Sequence, residues 1–84
     1  MAFILRVKPK VQKDINNLSE QYRQRVLEAL DAIQADPFAG KKLHGGREGQ
    51  YSVRVWPYRI IYKIYKNELL IIVIDFGHRG EVYK

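Results

Sequence analysis

The sequence contains no cysteine and only two histidines, His44 and His78, among its 84 residues. Without cysteine the chain has no disulfide, no thiolate nucleophile and no cysteine-ligated zinc. Two histidines are too few to suggest a metal site, so we expect neither a metal nor another cofactor. The longest uninterrupted apolar run, residues 69–74, has six residues, whereas a membrane-spanning helix needs about 20. The first residues do not resemble a secretory signal, so we expect a cytoplasmic protein without membrane contact.

Acidic residues are also scarce. The chain has 15 Lys and Arg against 9 Asp and Glu, a net charge of +6. Residues 1–40 hold six basic and five acidic side chains, whereas residues 41–84 hold nine and four, so the excess lies in the second half. Such a charge favours an anionic partner without specifying a fold. The length allows one domain, over residues 1–84.

The first half of the chain predicts one strand and two helices. Residues 3–8 are rich in β-forming side chains and predict an opening strand. Apolar residues then recur at helical spacing, which predicts a short helix to about Asn17 and a longer one over residues 19–35. These apolar positions are Val11, Ile15 and Leu18 in the first helix and Tyr22, Val26, Leu30 and Ile33 in the second. Pro37 ends the second helix.

The second half of the chain changes to strand periodicity. Residues 38–49 hold four of the six glycines and predict a mobile basic loop. Apolar and polar residues then alternate over residues 50–55 and 58–65, and residues 69–76 form an apolar run suited to a central strand buried on both faces. The element order is therefore β-α-α-β-β-β. We expect an α+β fold in which the two N-terminal helices pack on one face of a mostly antiparallel sheet.

A tight turn at Trp56-Pro57 would place Arg54 directly opposite Arg59 on neighbouring strands. Ser52 and Lys63 would share that face, because side chains on one face recur every second residue. Two arginines directly opposite each other repel, at a cost of about 0.2–1 kcal/mol, and such a local cost often marks a functional site. Arginines on a strand also commonly have a structural role alone, in which their long stems cover apolar surface on a solvated face. The pattern alone leaves both interpretations open.

The C-terminal tail adds His78, Arg79 and Tyr83. Together with Arg54 and Arg59, these residues offer several fixed cations for a phosphate and candidate groups to move a proton. A single tyrosine near the end of a chain more often packs on its neighbours or lies exposed than takes part in catalysis. The functional hypothesis therefore depends on the combination of these five residues.

Several motifs together resemble the RelE/ParE superfamily of toxins from type II toxin–antitoxin modules, and in particular its RelE-like branch. The resemblance covers essentially the whole chain. It rests on Asp36-Pro37, Lys42-Leu-His-Gly45, Tyr51-Ser-Val-Arg54, Tyr58-Arg-Ile-Ile-Tyr62 and Gly77-His-Arg-Gly-Glu-Val-Tyr83. The last two motifs are the most specific.

The resemblance implies a metal-free endoribonuclease that cuts mRNA in the ribosomal A site. In such enzymes the 2′-hydroxyl attacks the adjacent phosphate, which yields a 2′,3′-cyclic phosphate and a 5′-hydroxyl. By motif, Arg54 would position the phosphate and Arg59 would stabilise its charge. Arg79 would stabilise the transition state and the leaving group, and Tyr83 would orient or deprotonate the 2′-hydroxyl. Nearby arginines would favour the tyrosine phenolate that such a base requires.

The sequence departs from this family at Ser52, where the RelE archetype has a lysine. That change removes one cation, and Lys63 and His78 are the candidates to compensate, as substrate-binding residues. The family also implies a cognate antitoxin in a hetero-oligomeric complex. We expect an acidic antitoxin segment that folds on binding to the basic half of the chain, although the helix over residues 19–35 is an alternative anchor.

Two other functions fit the same residues. A ParE-type toxin has the same fold but inhibits DNA gyrase through protein contacts, and such chains generally lack the full set of three arginines and a tyrosine. A non-catalytic module that binds RNA or a protein would use the arginines only as a basic patch.

Overall fold

Two helices lie against one face of a five-stranded sheet in the computed structural model, which describes residues 2–78. The predicted α+β class is confirmed, as is the packing of both helices on one face of a mostly antiparallel sheet. The elements are β1 (Ile4–Val7), α1 (Pro9–Asn16), α2 (Glu20–Ala35), β2 (Lys41–Lys42), β3 (Gln50–Val55), β4 (Tyr58–Tyr65) and β5 (Leu70–His78). Short 3₁₀ turns lie at Pro37–Ala39 and Lys66–Glu68. Neither helix is long and apolar enough to cross a membrane.

The strands are ordered β1-β5-β4-β3-β2 across the sheet. Strand β1 pairs in parallel with β5, and the other three pairings are antiparallel. A two-residue turn at Trp56 and Pro57, whose peptide bond is cis, joins β3 to β4. The first strand of the chain therefore lies at one edge, and β4 and β5 lie in the middle.

Strand β2 lies inside the segment that the sequence predicts to be a mobile loop. Lys41 pairs with Ser52 and Lys42 pairs with Tyr51. Lysine has little strand propensity, so the side chains of β2 do not account for this strand. It forms because its backbone pairs with the backbone of β3. Strand β5 also extends two residues beyond the predicted end at position 76, because its pairing with β4 continues to Tyr58 and His78.

The main core lies between the helices and the sheet. Each helix contributes its apolar stripe at helical spacing. Strand β4 contributes every second residue, and β5 does so up to Val73, after which a register shift brings Phe76 to the core side. The buried members are Val11 and Ile15 of α1, Val26, Leu30 and Ile33 of α2, Ile60, Tyr62 and Ile64 of β4, and Ile71, Val73 and Phe76 of β5.

The Tyr62 hydroxyl anchors the end of α2 to the sheet. It donates a hydrogen bond of 2.7 Å to the carbonyl oxygen of Pro37. Gly40 passes so close to this hydroxyl that a Cβ at position 40 would collide with it, and the same Cβ would stand 3.2 Å from the carbonyl oxygen of Ser52. Only glycine fits between Tyr62 and β3 at this point.

Replacing Gly40 by alanine is therefore expected to lower the free energy of unfolding by about 1–3 kcal/mol, the usual cost of overpacking. Urea denaturation of the purified protein measures this loss. In a Tyr62→Phe background the hydroxyl is gone, so the same Gly40→Ala change should cost less. Equal costs in both backgrounds would show that the collision with the hydroxyl is not what excludes alanine.

The same tyrosine should make the fold sensitive to alkaline pH. Burial raises the pKa of Tyr62 to about 12 from an ordinary value of 10.0. Between about pH 10 and 12 the unfolded chain loses this proton first, so the stability that is fully present below pH 10 should fall as the pH rises. Denaturation curves collected across this range should show a steeper loss for the wild type than for Tyr62→Phe. Parallel curves would assign the alkaline loss to other groups.

Candidate active site

The sheet face opposite the helices carries polar and basic side chains from β3 and β4. The neighbours Val53, Ile60 and Tyr62 pack into the helix-covered core, so the residues between them point to the other side. We call the side chains of Ser52, Arg54, Arg59 and Lys63 on this side the basic face. It contains four of the seven residues predicted as site residues.

Arg54 and Arg59 are direct cross-strand partners, as the hairpin geometry predicts. Arg54 is exposed at the edge of the sheet, whereas Arg59 is only 8% exposed. A largely buried guanidinium interacts strongly with a nearby charge, because the protein interior screens it less than water does. An anion between the two arginines would turn their repulsion into two favourable contacts, and Arg supplies planar donors suited to phosphate.

The surroundings of Arg59 explain its burial. Its partner on the other side is Gly77 of β5. Because glycine has no side chain, it leaves room for the arginine stem to lie along the sheet, where long stems commonly pack.

A small apolar cluster stands beside Arg59 on the basic face. Leu43, from the segment after β2, packs on Ile61 of β4 and Ile74 of β5. The sequence pattern gives one signal for this cluster, because Ile61 is an isolated apolar residue on an otherwise polar strand face. It does not indicate that Leu43, more than ten residues away in the chain, supplies the cover.

Ser52 and Lys63 lie at increasing distance from the arginine pair. Ser52 is buried between Lys41 and Ile61, one step along the sheet from Arg54. Lys63 is four residues beyond Arg59, roughly 13 Å along the strand, and its ammonium lies 5.2 Å from the centre of the Tyr65 ring. The structure therefore brings Ser52 next to the pair and holds Lys63 apart.

His78 lies on the other face of the sheet. Its ring is 5.3 Å from the ring of Tyr58, which packs on Tyr22 and Phe76 at the margin of the main core. Within residues 2–78 it is therefore not joined to Arg54 and Arg59. The remaining predicted residues, Arg79 and Tyr83, lie outside the described residues.

One carboxylate on the basic face was not predicted. Asp75 is opposite Ile61, and its Oδ1 accepts a hydrogen bond of 2.9 Å from the backbone N–H of Phe76. A register shift between Ile61 and Tyr62 places Asp75 and Ile74 on this side together, and such shifts are invisible in a simple alternation pattern. Because a carboxylate repels a phosphate, we expect an anion bound by the arginine pair to lie on the side toward the β3–β4 turn.

Across residues 2–78, no three histidine, aspartate or glutamate side chains come together in a way that could hold a metal ion. The basic face presents two guanidinium groups at the end of a hairpin, with an apolar wall on one side. Such preorganised donors stabilise charge that develops during phosphoryl transfer.

Comparison with known proteins relates this chain to toxins. The family model described as the ParE toxin of type II toxin–antitoxin systems matches residues 5–83. Toxin RelG of Mycobacterium tuberculosis is 24% identical over 86 residues, which cover 100% of this chain and 99% of that protein.

Two solved structures show the same fold. The archaeal RelE–RelB complex from Pyrococcus horikoshii contains a chain with a TM-score of 0.82 and 24% identity, covering 98% of this chain and 100% of that one. The RelBE2 toxin–antitoxin complex from M. tuberculosis contains one with a TM-score of 0.80 and 23% identity, covering 96% and 95%. At these identities the structural matches establish the fold alone.

Proposed function

The chain belongs to the RelE/ParE superfamily of toxins of type II toxin–antitoxin systems, and from this membership we propose that it is an endoribonuclease that cleaves mRNA on the ribosome and so inhibits translation. The observation that carries the proposal is the cross-strand pair of Arg54 and Arg59. Two cations directly opposite each other repel, and a phosphodiester bound between them reduces that repulsion. An anion-binding role therefore gives a reason for this pairing.

In the proposed reaction the 2′-oxygen of a ribose attacks the adjacent phosphorus. The bond from phosphorus to the 5′-oxygen of the next nucleotide breaks, which leaves a 2′,3′-cyclic phosphate and a 5′-hydroxyl. The 2′-hydroxyl gives its proton to a base, and the departing 5′-oxygen takes up a proton. The transition state carries extra negative charge on the phosphoryl oxygens, which is where preorganised guanidinium groups act.

The three arginines and the tyrosine have different roles in this reaction. Arg54, exposed on β3, holds the incoming phosphate, and Arg59, buried beside it on β4, stabilises the developing charge. Arg79 stabilises the transition state and the leaving group, and Tyr83 orients or deprotonates the 2′-hydroxyl. The described part of β5 reaches His78, opposite Tyr58 and next to the partner of Arg59, and Arg79 is the next residue in the sequence.

The ribosome supplies the substrate geometry in this proposal. A domain of this size has room for few substrate contacts of its own, so in this proposal the ribosome provides most of the contacts that position the mRNA. Positioning a substrate supplies a large part of a catalytic rate, and the ribosomal A site holds mRNA in a fixed path. Naked RNA should therefore be cut poorly.

The proposal includes a cognate antitoxin and a cytoplasmic location, where ribosomes and mRNA are found. Among the similar structures, RelE-type chains are present in complexes with RelB. We propose that this chain likewise forms a hetero-oligomeric complex with an antitoxin that keeps it inactive.

A ParE-type function is the second candidate, because the family model that matches the chain carries that description. A gyrase inhibitor acts through protein contacts and has no need of a paired Arg54 and Arg59 on an open sheet face. This arrangement favours RNA cleavage over gyrase inhibition.

The deciding experiment is toxin synthesis in a purified translation system, followed by primer extension to map the ends of the mRNA. The proposal expects cuts in phase with codons for wild type and none for Arg79→Ala. Arg25→Ala is the matched control, because Arg25 is an exposed arginine on α2, away from the basic face, lying over the Tyr22 ring. Intact mRNA with inhibited gyrase supercoiling would select the ParE-type function, and intact mRNA with active gyrase would leave only a binding module.

A further inference from the structure

The β3–β4 turn presents a tryptophan to solvent. Trp56 is 59% exposed, more than any other large hydrophobic side chain within residues 2–78. Val55 and Tyr58, which flank the turn, pack on the main core, whereas Trp56 keeps more than half of its surface in water. Two-residue turns favour Gly, Asn and Asp, which tolerate a positive φ or hydrogen-bond the local backbone. An indole ring offers neither property, so neither the core nor the turn calls for a tryptophan at this position.

The position of Trp56 relative to the arginine pair gives it a different use. It follows Arg54 by two residues and precedes Arg59 by three, and only one residue pair separates the two arginines from the turn. Residues two apart along a strand are about 7 Å apart, a distance that one side chain can cover. Asp75 lies on the other side of the pair, opposite Ile61, and its carboxylate repels a phosphate. A phosphate held by the two arginines therefore lies on the side of Trp56.

An exposed aromatic ring beside fixed cations is a combination that binds single-stranded RNA. The cations hold the phosphate, and the flat ring stacks on a base. The base of a nucleotide is attached to the ribose next to its phosphate, so a phosphate between the arginines brings one base near the indole ring. A purine has two fused rings and covers more of an indole than a pyrimidine does, so stacking strength favours purines.

We propose that Trp56 stacks on the mRNA base next to the phosphate that Arg54 and Arg59 hold, and that this contact gives the chain a preference for a purine at that nucleotide. The inference rests on the proposed ribonuclease function and adds a substrate contact outside the three arginines and the tyrosine. The arginines act on the phosphate whatever the base, whereas the indole ring responds to the base itself.

The first test compares cleavage of mRNAs that carry a purine or a pyrimidine at each nucleotide flanking the cut, changed one at a time. In single-turnover reactions on ribosomes, the wild type should cut the purine mRNA at one of these positions at least about threefold faster. Trp56→Leu keeps an apolar side chain but removes the ring, so it should cut the purine mRNA about 5–150-fold more slowly and lose the preference. Trp56→Phe keeps a smaller ring and should fall between the two.

Phe38→Leu is the matched control for the loss of an exposed aromatic ring. Phe38 is 48% exposed and packs on Phe3 and Tyr51, away from the basic face. We expect this variant to keep the wild-type rate and the purine preference. A defect in folding would slow the cleavage of every mRNA to the same extent, so the ratio between purine and pyrimidine mRNAs reports on the contact itself.

Fluorescence provides a second test that needs no ribosome, because Trp56 is the single tryptophan of the sequence. The probes are short oligoadenylate and oligouridylate strands with 2′-O-methyl groups, which remove the attacking hydroxyl. Oligoadenylate should quench the emission of Trp56 at a lower concentration than oligouridylate does. With labelled oligoadenylate, Trp56→Leu should bind more weakly with an unchanged dependence on salt, because stacking releases no counterions. Arg54→Ala should instead reduce the slope of log K against log salt by about 0.7, the value for one phosphate contact to a single strand.

The outcomes separate the stacking contact from the proposed function. Unchanged emission at saturating oligoadenylate, or the same purine-to-pyrimidine ratio in wild type and Trp56→Leu, would overturn the contact, and the proposed function would survive as long as the wild type cuts mRNA on ribosomes. Quenching by oligoadenylate without any cleavage would refute the proposed function while the contact with RNA stands. Loss of antitoxin binding in Trp56→Leu, with no quenching of the wild type by RNA, would overturn the inference by assigning the ring to a protein partner.

Discussion

Replacing Tyr83 by phenylalanine is expected to lower the rate of mRNA cleavage on ribosomes by about 10²–10⁴-fold, the usual contribution of a general acid or base. The change removes only the hydroxyl, so stacking of the ring on a base is retained. The rate is measured under single-turnover conditions on ribosomes that carry a defined mRNA, with the cut ends quantified by primer extension. Binding of the toxin to the ribosome should stay the same, because the hydroxyl acts on the reacting 2′-oxygen.

Tyr65→Phe is the matched control for this loss. Tyr65 is a half-buried tyrosine at the far end of β4, beneath the Lys63 ammonium, and its ring face survives the change. We expect the control to cleave at nearly the wild-type rate. A loss of less than about threefold in Tyr83→Phe would remove this hydroxyl from the proton transfer and limit Tyr83 to a stacking role.

Replacing Arg59 by methionine is expected to lower the cleavage rate by about 10²–10³-fold, the cost of losing one preorganised donor to a developing negative charge. Methionine is unbranched and adaptable, so it can fill the space of the arginine stem opposite Gly77. It also removes the repulsion between positions 54 and 59. Single-turnover cleavage gives the rate, and thermal unfolding of the same sample shows that the variant is folded.

Two further variants sharpen the interpretation of Arg59. Arg59→Lys keeps a positive charge but loses the planar fork of donors, so it should fall between wild type and Arg59→Met. Arg25→Met makes the same substitution at an exposed position on α2 and should leave the rate unchanged. A folded Arg59→Met protein that keeps a third or more of the wild-type rate would contradict the assignment of Arg59 to the transition state.

The hairpin shows why part of the site was predictable from sequence. A two-residue turn and the period of two along each strand determine which side chains face each other. The opposition of Arg54 and Arg59 follows from these local rules, and the structure confirms it. The helices were predictable for a similar reason, since Val26, Leu30 and Ile33 recur at helical spacing and are buried together.

Other parts of the site depend on contacts between residues far apart in the chain. Leu43 covers Ile61 and Ile74, and no local pattern connects these three positions. The register shift in β5 brings Asp75 to the basic face, and pairing with Tyr58 places His78 on the face opposite the arginines. A bulge or an edge pairing arises from the fit of two strands, so neither strand alone reveals it.

The sequence by itself determined the order of helices and strands, the α+β class and the pairing of two arginines, because these follow from periodicity and turn geometry within short segments. Only the tertiary structure decided that Lys41–Lys42 becomes a strand and that Leu43 covers Ile61 and Ile74. The reason is physical. Backbone hydrogen bonds between strands carry no side-chain signature, and a contact between residues far apart in the chain depends on how several elements pack together, which no single element encodes.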